Sequence, residues 1–148
     1  SYNKPLSKWD VCKVRDMSYM FWSCYDFNQK LNNWNVKNVE NMEYMFKHCS
    51  SFNGSLNSWN VKKVKSMECM FENCVKFSKP IDLWKPLSCT TTFDMFRFCE
   101  KFNRSIETWK IPKMKIMSRM FEYSNYNSPI DKLDISNVEE MYDDVVFG

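Results

Sequence analysis

Trp9, Trp34, Trp59, Trp84 and Trp109 stand 25 residues apart, and Met-Phe pairs keep the same interval from Met20-Phe21 through Met45-Phe46, Met70-Phe71 and Met95-Phe96 to Met120-Phe121. Strict self-similarity at such a period means a stacked repeat array, whose units bury apolar surface against their neighbours instead of closing separate cores. The unit reads Leu-x-x-Trp-x-Val-x-x-Val-x-x-Met-x-x-Met-Phe-x-x-Cys-x-x-Phe-Asn. Residues 1–148 are therefore read as a single array of about five to six units, with 133–148 as a degenerate C-terminal cap.

The spacing within a unit changes partway along. Leu31, Trp34 and Val36 open it, and the Trp-Val pair, two residues apart, alternates as a strand does. From Val39 onward the apolar set is Val39, Met42, Met45, Phe46 and Cys49, which forms a stripe on one face of a helix. Asp16, Asn41, Ser66 and Thr91 stand near the start of that stripe as helix N-cap types. The spacing predicts an α/β fold: a curved right-handed solenoid of leucine-rich-repeat-like units, each a short parallel strand plus a short helix. Helices spaced about twice as widely as strands would curve the stack, with the sheet on the concave side. The Phe-Asn step at Phe27-Asn28, Phe52-Asn53 and Phe102-Asn103 closes each unit, with asparagine taking a left-handed turn or bonding neighbouring backbone.

Trp-x-Val-x-x-Val-x-x-Met-x-x-Met-Phe followed by Phe-Asn resembles the BspA-like surface-protein repeats, a relative of the leucine-rich repeats. The resemblance covers nearly the whole chain. It implies a binding or adhesion scaffold at a cell surface or in a virus particle, and it brings no catalytic residues with it.

The bulk numbers exclude more than they assign. Aromatic residues are 17% of the chain against two glycines, so apolar filling is ample and flexible linkers are absent. A net charge of +3 is too mild to imply nucleic acid or an acidic membrane. No apolar run approaches the ~18 residues of a membrane-crossing helix. Tyr2-Asn3 falls where later units carry Phe-Asn, so the first residue lies inside a unit and a fragment of a longer array is expected. Cys24, Cys49, Cys74 and Cys99 share one column; on stacked helices their Cα atoms would lie too far apart to bridge. They are read as free, buried thiols, compatible with a reducing compartment.

Departures from the pattern supply the candidate sites. In the fourth unit Pro86 replaces the strand valine, Cys89 and Thr92 shrink two core positions, and Phe93 and Phe98 enter columns that are otherwise polar, the second continued by Tyr123. Either the two phenylalanines fold inward to fill lost volume, or they form an exposed partner surface. Trp22 occupies a column of charged residues and, with Tyr25 nearby, is read as a terminal cover or a contact. In the last unit Leu133 stands one residue early, and Asp144, Val145 and Val146 end the register.

Materials for chemistry are sparse. His48 is the single histidine, no Cys-x-x-Cys pair occurs and no glycine-rich phosphate loop exists, so no catalytic residue, metal or cofactor is expected. The link between strand and helix carries Lys13, Arg15, Lys37, Lys62, Lys63, Lys65, Lys113 and Lys115, which stacking would align into a basic ridge. The favoured function is a non-enzymatic protein-interaction or structural scaffold with a protein partner. The alternative is a polyanion- or nucleic-acid-binding module using the ridge, which lacks the aromatic interleaving that base stacking needs.

Overall fold

The computed structural model describes residues 2–142. The chain winds as five stacked rungs of 25 residues, each a run of tight turns lying directly against the next. The rungs meet through a single column of parallel bridges linking Asp16, Asn41, Ser66, Thr91, Ile116 and Glu140. Each unit opens with two successive corners. Trp34 N–H donates to Leu31 O at 3.0 Å and Val39 N–H to Val36 O at 2.9 Å, with the same pair of turns repeated in the neighbouring units. The Trp-x-Val stretch is thus a corner between turns.

The stripe that follows is not a helix. Among the described residues no helix occurs and extended pairing is confined to the isolated bridges. This overturns the expected α/β solenoid of strand-plus-helix, leucine-rich-repeat-like units, and with it the curvature derived from unequal strand and helix spacing. The bridge residues launch a different structure. Asp16 Oδ1 accepts from Ser18 N–H at 2.8 Å, Asn41 Oδ1 from Glu43 N–H at 2.9 Å and Thr91 Oγ1 from Phe93 N–H at 3.2 Å. This is the capping chemistry of short polar side chains, used to start a run of turns.

Within the run, N–H groups alternate in what they serve. Those of Met45, Lys47 and Cys49 close turns onto the carbonyl three residues back. Those of Met42, Tyr44, Phe46 and His48 reach across to Ser66, Glu68, Met70 and Glu72 of the next rung, at 2.9–3.1 Å. Such alternation requires left-handed backbone twice per rung, at Tyr44 (φ 57°) and His48 (φ 64°), and at the equivalent residues of the other four. A helix would direct its N–H groups along its own axis and would hold neighbouring units ~8–10 Å apart. The turn run lets rungs approach far more closely.

That closeness is what the aromatic core needs. Phe21, Phe46, Phe71, Phe96 and Phe121 stack at successive centroid distances of 5.5, 5.5, 5.4 and 5.7 Å. A second column, Phe27, Phe52, Phe77 and Phe102, stacks at 5.9, 5.9 and 5.8 Å and interleaves with the first. Tyr126 closes both, lying 3.7 Å from Phe121 and 6.1 Å from Phe102. It stands one residue short of the repeat, where the register of the last unit shifts. The cap positions Asp144, Val145 and Val146 lie outside the described residues.

Trp34, Trp59, Trp84 and Trp109 are buried, and each indole N–H donates to a carbonyl 28 residues earlier, at 2.8–3.0 Å. Trp9 breaks the pattern and is 55% exposed. Asparagine stitches the opposite corner: Asn3, Asn28 and Asn53 each accept, on the side-chain oxygen, the N–H of the equivalent residue one rung on.

All seven cysteines are free. The helix-spacing argument for this does not apply, because no helices separate the column. Instead the thiols of Cys49, Cys74 and Cys99 point at the carbonyls of Phe21, Phe46 and Phe71, 2.9–3.0 Å away. Burial pushes Cys49 and Cys89 up to about 12.

Two outcomes follow from this core. A thiol-specific chromogenic reagent should label the half-buried Cys12 and Cys24 in the native protein and reach the other five only after denaturation. Phe71→Ala removes a ring that contacts both phenylalanine columns and should lower unfolding free energy by about 3–5 kcal/mol, measured by urea titration.

Candidate interaction face

The left-handed residues create a face. Along each turn run, side chains in the Met42, Met45, Phe46 and Cys49 columns enter the core, while those in the Glu43, Tyr44, Lys47 and His48 columns line the turn face, exposed or half-buried except at Cys69, Glu72, Asp94 and Ser118. Successive rungs align the outer positions. One column then reads Trp22, Lys47, Glu72, Arg97 and Glu122, and another Tyr19, Tyr44, Cys69, Asp94 and Arg119.

Read down the stack, these columns form a charge ladder. Lys47 Nζ lies 2.7 Å from Glu72 Oε2. Arg97 pairs with Glu122 and lies 3.8 Å from Asp94. Arg119 grips Asp94 with both arms of its guanidinium, Nε to Oδ1 at 2.8 Å and Nη2 to Oδ2 at 2.6 Å. Hydrogen bonding to Asp94 raises the pKa of Arg119. Glu72 and Asp94 are only 6% and 4% exposed, so removing either partner would strand a charge in a poorly solvated place.

Cys69, Glu72 and Asp94 bring three candidate metal-ligand atoms within 4.8 Å of one another. Their carboxylates already face Lys47, Arg97 and Arg119, and the Cys69 thiol is pushed up to about 12 by burial and then by Glu72. The cluster is the centre of the ladder. His48, at the edge of this face, has its pKa lowered by burial and by Lys47.

Aromatic rings flank the charged middle on both sides. Tyr19 and Tyr44 stack at 4.7 Å, and Trp22 meets Tyr19 edge-on at 6.0 Å. Tyr44 donates its hydroxyl to Glu68 Oε1 at 3.2 Å, and burial is the main cause that raises its pKa. Toward the other end Phe98 and Tyr123 stack at 4.9 Å, with the Arg97 guanidinium over both rings, while Arg119 lies over Phe93 at 4.8 Å.

The candidate contact residues thus fall into two groups. Trp22 and Tyr25 belong to the first rung and are more than half exposed. Phe93, Phe98 and Tyr123 gather on the fourth and fifth rungs. Neither phenylalanine has turned inward. Of the small buried residues in that unit, Thr92 sends its hydroxyl to Met120 Sδ at 3.4 Å and Cys89 its thiol to Thr91 O at 3.3 Å. Linear reading missed the ladder cations and the carboxylates they hold. The sequence places Lys47, Glu72, Arg97 and Glu122 in one charged column read as facing solvent; their alternation in sign down that column was the signal that they pair.

The basic residues lie on a separate rim, at the Val-x-x-Val corner. Lys13, Arg15, Lys37, Lys62, Lys63, Lys65, Lys113 and Lys115 are all exposed. Glu40 takes both Arg15 (3.7 Å) and Lys65 (2.6 Å), Glu139 takes Lys115 (2.6 Å), and Lys63 donates to Asn38 (3.0 Å). The ridge is therefore interrupted and partly neutralised.

The ladder makes a stability prediction. Glu72→Gln or Asp94→Asn should cost about 1–3 kcal/mol by chemical denaturation, since each leaves half-buried cations without their charged partner. Exchanging the charges in Lys47→Glu/Glu72→Lys should recover most of that loss.

A family described as Mycoplasma protein of unknown function, DUF285, matches residues 1–97 and again residues 70–146. No curated protein and no solved structure gives a significant match. Among the described residues no helix is long and apolar enough to cross a membrane. With its family match spanning almost the entire array, the chain belongs to the DUF285 repeat family.

Proposed function

We propose that the chain is a non-enzymatic interaction scaffold, of the BspA-like surface-repeat kind, serving a cell-surface or virion assembly through a protein partner. One observation carries the reading: aromatic side chains stand exposed on a face whose backbone is tied rung to rung. Trp22, Tyr19 and Tyr123 are 53%, 51% and 66% exposed there. Large exposed rings on a stiff frame cost little entropy to fix in a complex, and such residues dominate interface energies. The repeat supplies the frame, and the outward columns vary in residue type from rung to rung while the core columns keep their Phe, Met and Trp.

The polyanion reading ranks below it. Acidic partners occupy part of the rim, and the aromatic residues lie on the turn face, so the rim offers charge without stacking platforms.

The test compares the chain with a Trp22→Ala/Tyr123→Ala variant of equal melting temperature. A protein that co-purifies with the parent should be lost from the variant. A parent that stays monodisperse and partnerless in its native extract would refute the scaffold reading. Titration with heparin and oligonucleotides at low salt should give no saturable signal; tight, salt-sensitive binding would reinstate the ridge.

A further inference from the structure

The repeat acts as its own control, because one corner can be compared rung by rung. In the first three units a side chain caps the corner that follows the tryptophan. Asp10 Oδ1 accepts from Cys12 N–H at 3.0 Å, Asn35 Oδ1 from Lys37 N–H at 3.3 Å and Asn60 Oδ1 from Lys62 N–H at 3.2 Å. The fourth unit lacks this cap. Lys85 stands in that column, and Leu87 N–H turns instead to the Lys85 carbonyl at 2.8 Å, around Pro86.

Two residues before Lys85, Leu83 occupies a column that otherwise reads Lys8, Asn33, Ser58 and Thr108. Asn57 of the preceding rung holds its backbone, accepting Leu83 N–H at 3.0 Å while the Asn57 amide donates to Asp82 Oδ1 at 3.0 Å. The two leucines are left facing water, Leu83 at 67% exposure and Leu87 at 36%.

The rebuilt corner borders a cleft of about 300 Å³ between the third and fourth rungs, room for one large apolar side chain. Buried Trp59 and Val61 give it an apolar floor, Leu83 stands at its lip, and Lys62 and Lys85 complete the lining. Elsewhere on the rim Lys65 and Lys115 have carboxylates and Lys63 has Asn38. Among the described residues the ammonium groups of Lys62 and Lys85 have no ion-pair partner. Asp82, the single acid within residues 57–62 and 79–87, is already bonded to Asn57, so the surroundings are net basic.

We propose that this cleft docks an acidic segment of a protein partner, which seats a leucine or phenylalanine side chain against Leu83 while its carboxylates meet Lys62 and Lys85. The apolar anchor supplies the strength by leaving water, and the exposed charge pairs add orientation and partner choice. A bare polyanion lacks the anchor, which separates this site from binding by the ridge through charge alone. The proposal rests on the scaffold reading for the nature of its occupant, a protein, and places that contact at a corner apart from the turn face.

The experiment titrates the isotopically labelled 148-residue chain with acetyl-Glu-Glu-Leu-Phe-Glu-Glu amide and follows backbone amide resonances. One comparison peptide carries Ala-Ala in place of Leu-Phe, and another carries lysine in place of every glutamate. Saturable shifts are expected at residues 57–62 and 83–87 with the first peptide alone. Leu83→Ser, which installs the residue of the preceding rung, should weaken binding roughly 5- to 20-fold, as burial of part of one leucine side chain requires. Lys62→Gln/Lys85→Gln should weaken it about 2- to 10-fold, the range two exposed charge pairs span. These side chains are exposed, so both variants should keep the parent's melting temperature.

Absence of saturable binding would overturn the proposal, as would shifts confined to the turn face or equal affinity in Leu83→Ser. Equal binding of the alanine peptide would overturn it in favour of a site that reads charge alone. A chain that captures its native partner yet ignores the Leu-Phe peptide sinks this inference alone and leaves the scaffold reading standing.

Discussion

Everything in this array depends on alternate backbone N–H groups leaving their own rung to bond the next. Met42, Tyr44, Phe46 and His48 reach across, while the groups between them close local turns. The pattern demands left-handed backbone at two non-glycine residues per rung, including Tyr44, Phe98 and Tyr123. Each such residue costs of order 1 kcal/mol or more. The cost is offset because the N–H groups of the first four runs find acceptors within their own turns or on the next rung, and because the rungs come near enough for their rings to touch.

The two phenylalanine columns and the thiols use that proximity differently. Rings separated by 5.4–5.9 Å along the stack gain dispersion contacts on both faces. Indoles and thiols instead give their hydrogens to carbonyls of the preceding rung, so these groups are satisfied inside the core. Loss of one rung would expose apolar rings and unpaired backbone together. Stability is in this sense a property of interfaces, and a unit in isolation has nothing to bury against.

How much of this was legible depends on which direction the residues are read. The Trp, Met and Phe columns announce a stack with a 25-residue register, and burial of Trp34, Trp59, Trp84 and Trp109 agrees with that. The helix was misread for a definite reason. Intervals of three, three, one and three put Val39, Met42, Met45, Phe46 and Cys49 on one helical face, yet consecutive three-residue turns send the same residues inward. Glycine would have flagged the left-handed positions, but tyrosine, cysteine, phenylalanine and arginine hold many of them; only Asn73, Asp94 and His48 hint at what the backbone does. At the face, Trp22 and Tyr123 stood out as misfits in their columns. The ladder that organises them did not, because Lys47 and Glu72 are neighbours in space and a full repeat apart in sequence.

The one-way sense of the rung-to-rung bonds has an electrical consequence. In the turn run four N–H groups per rung point toward the C-terminal side and their carbonyl partners point back, whereas the opposing bonds, such as Lys65 N–H to Glu40 O, are fewer. Peptide dipoles aligned this way sum along the axis as they do in an α-helix, but with reversed polarity relative to the chain direction. The amino-terminal rung therefore sits at the negative pole and the carboxyl-terminal rung at the positive one. Lengthening such an array would deepen the polarity without changing a single side chain.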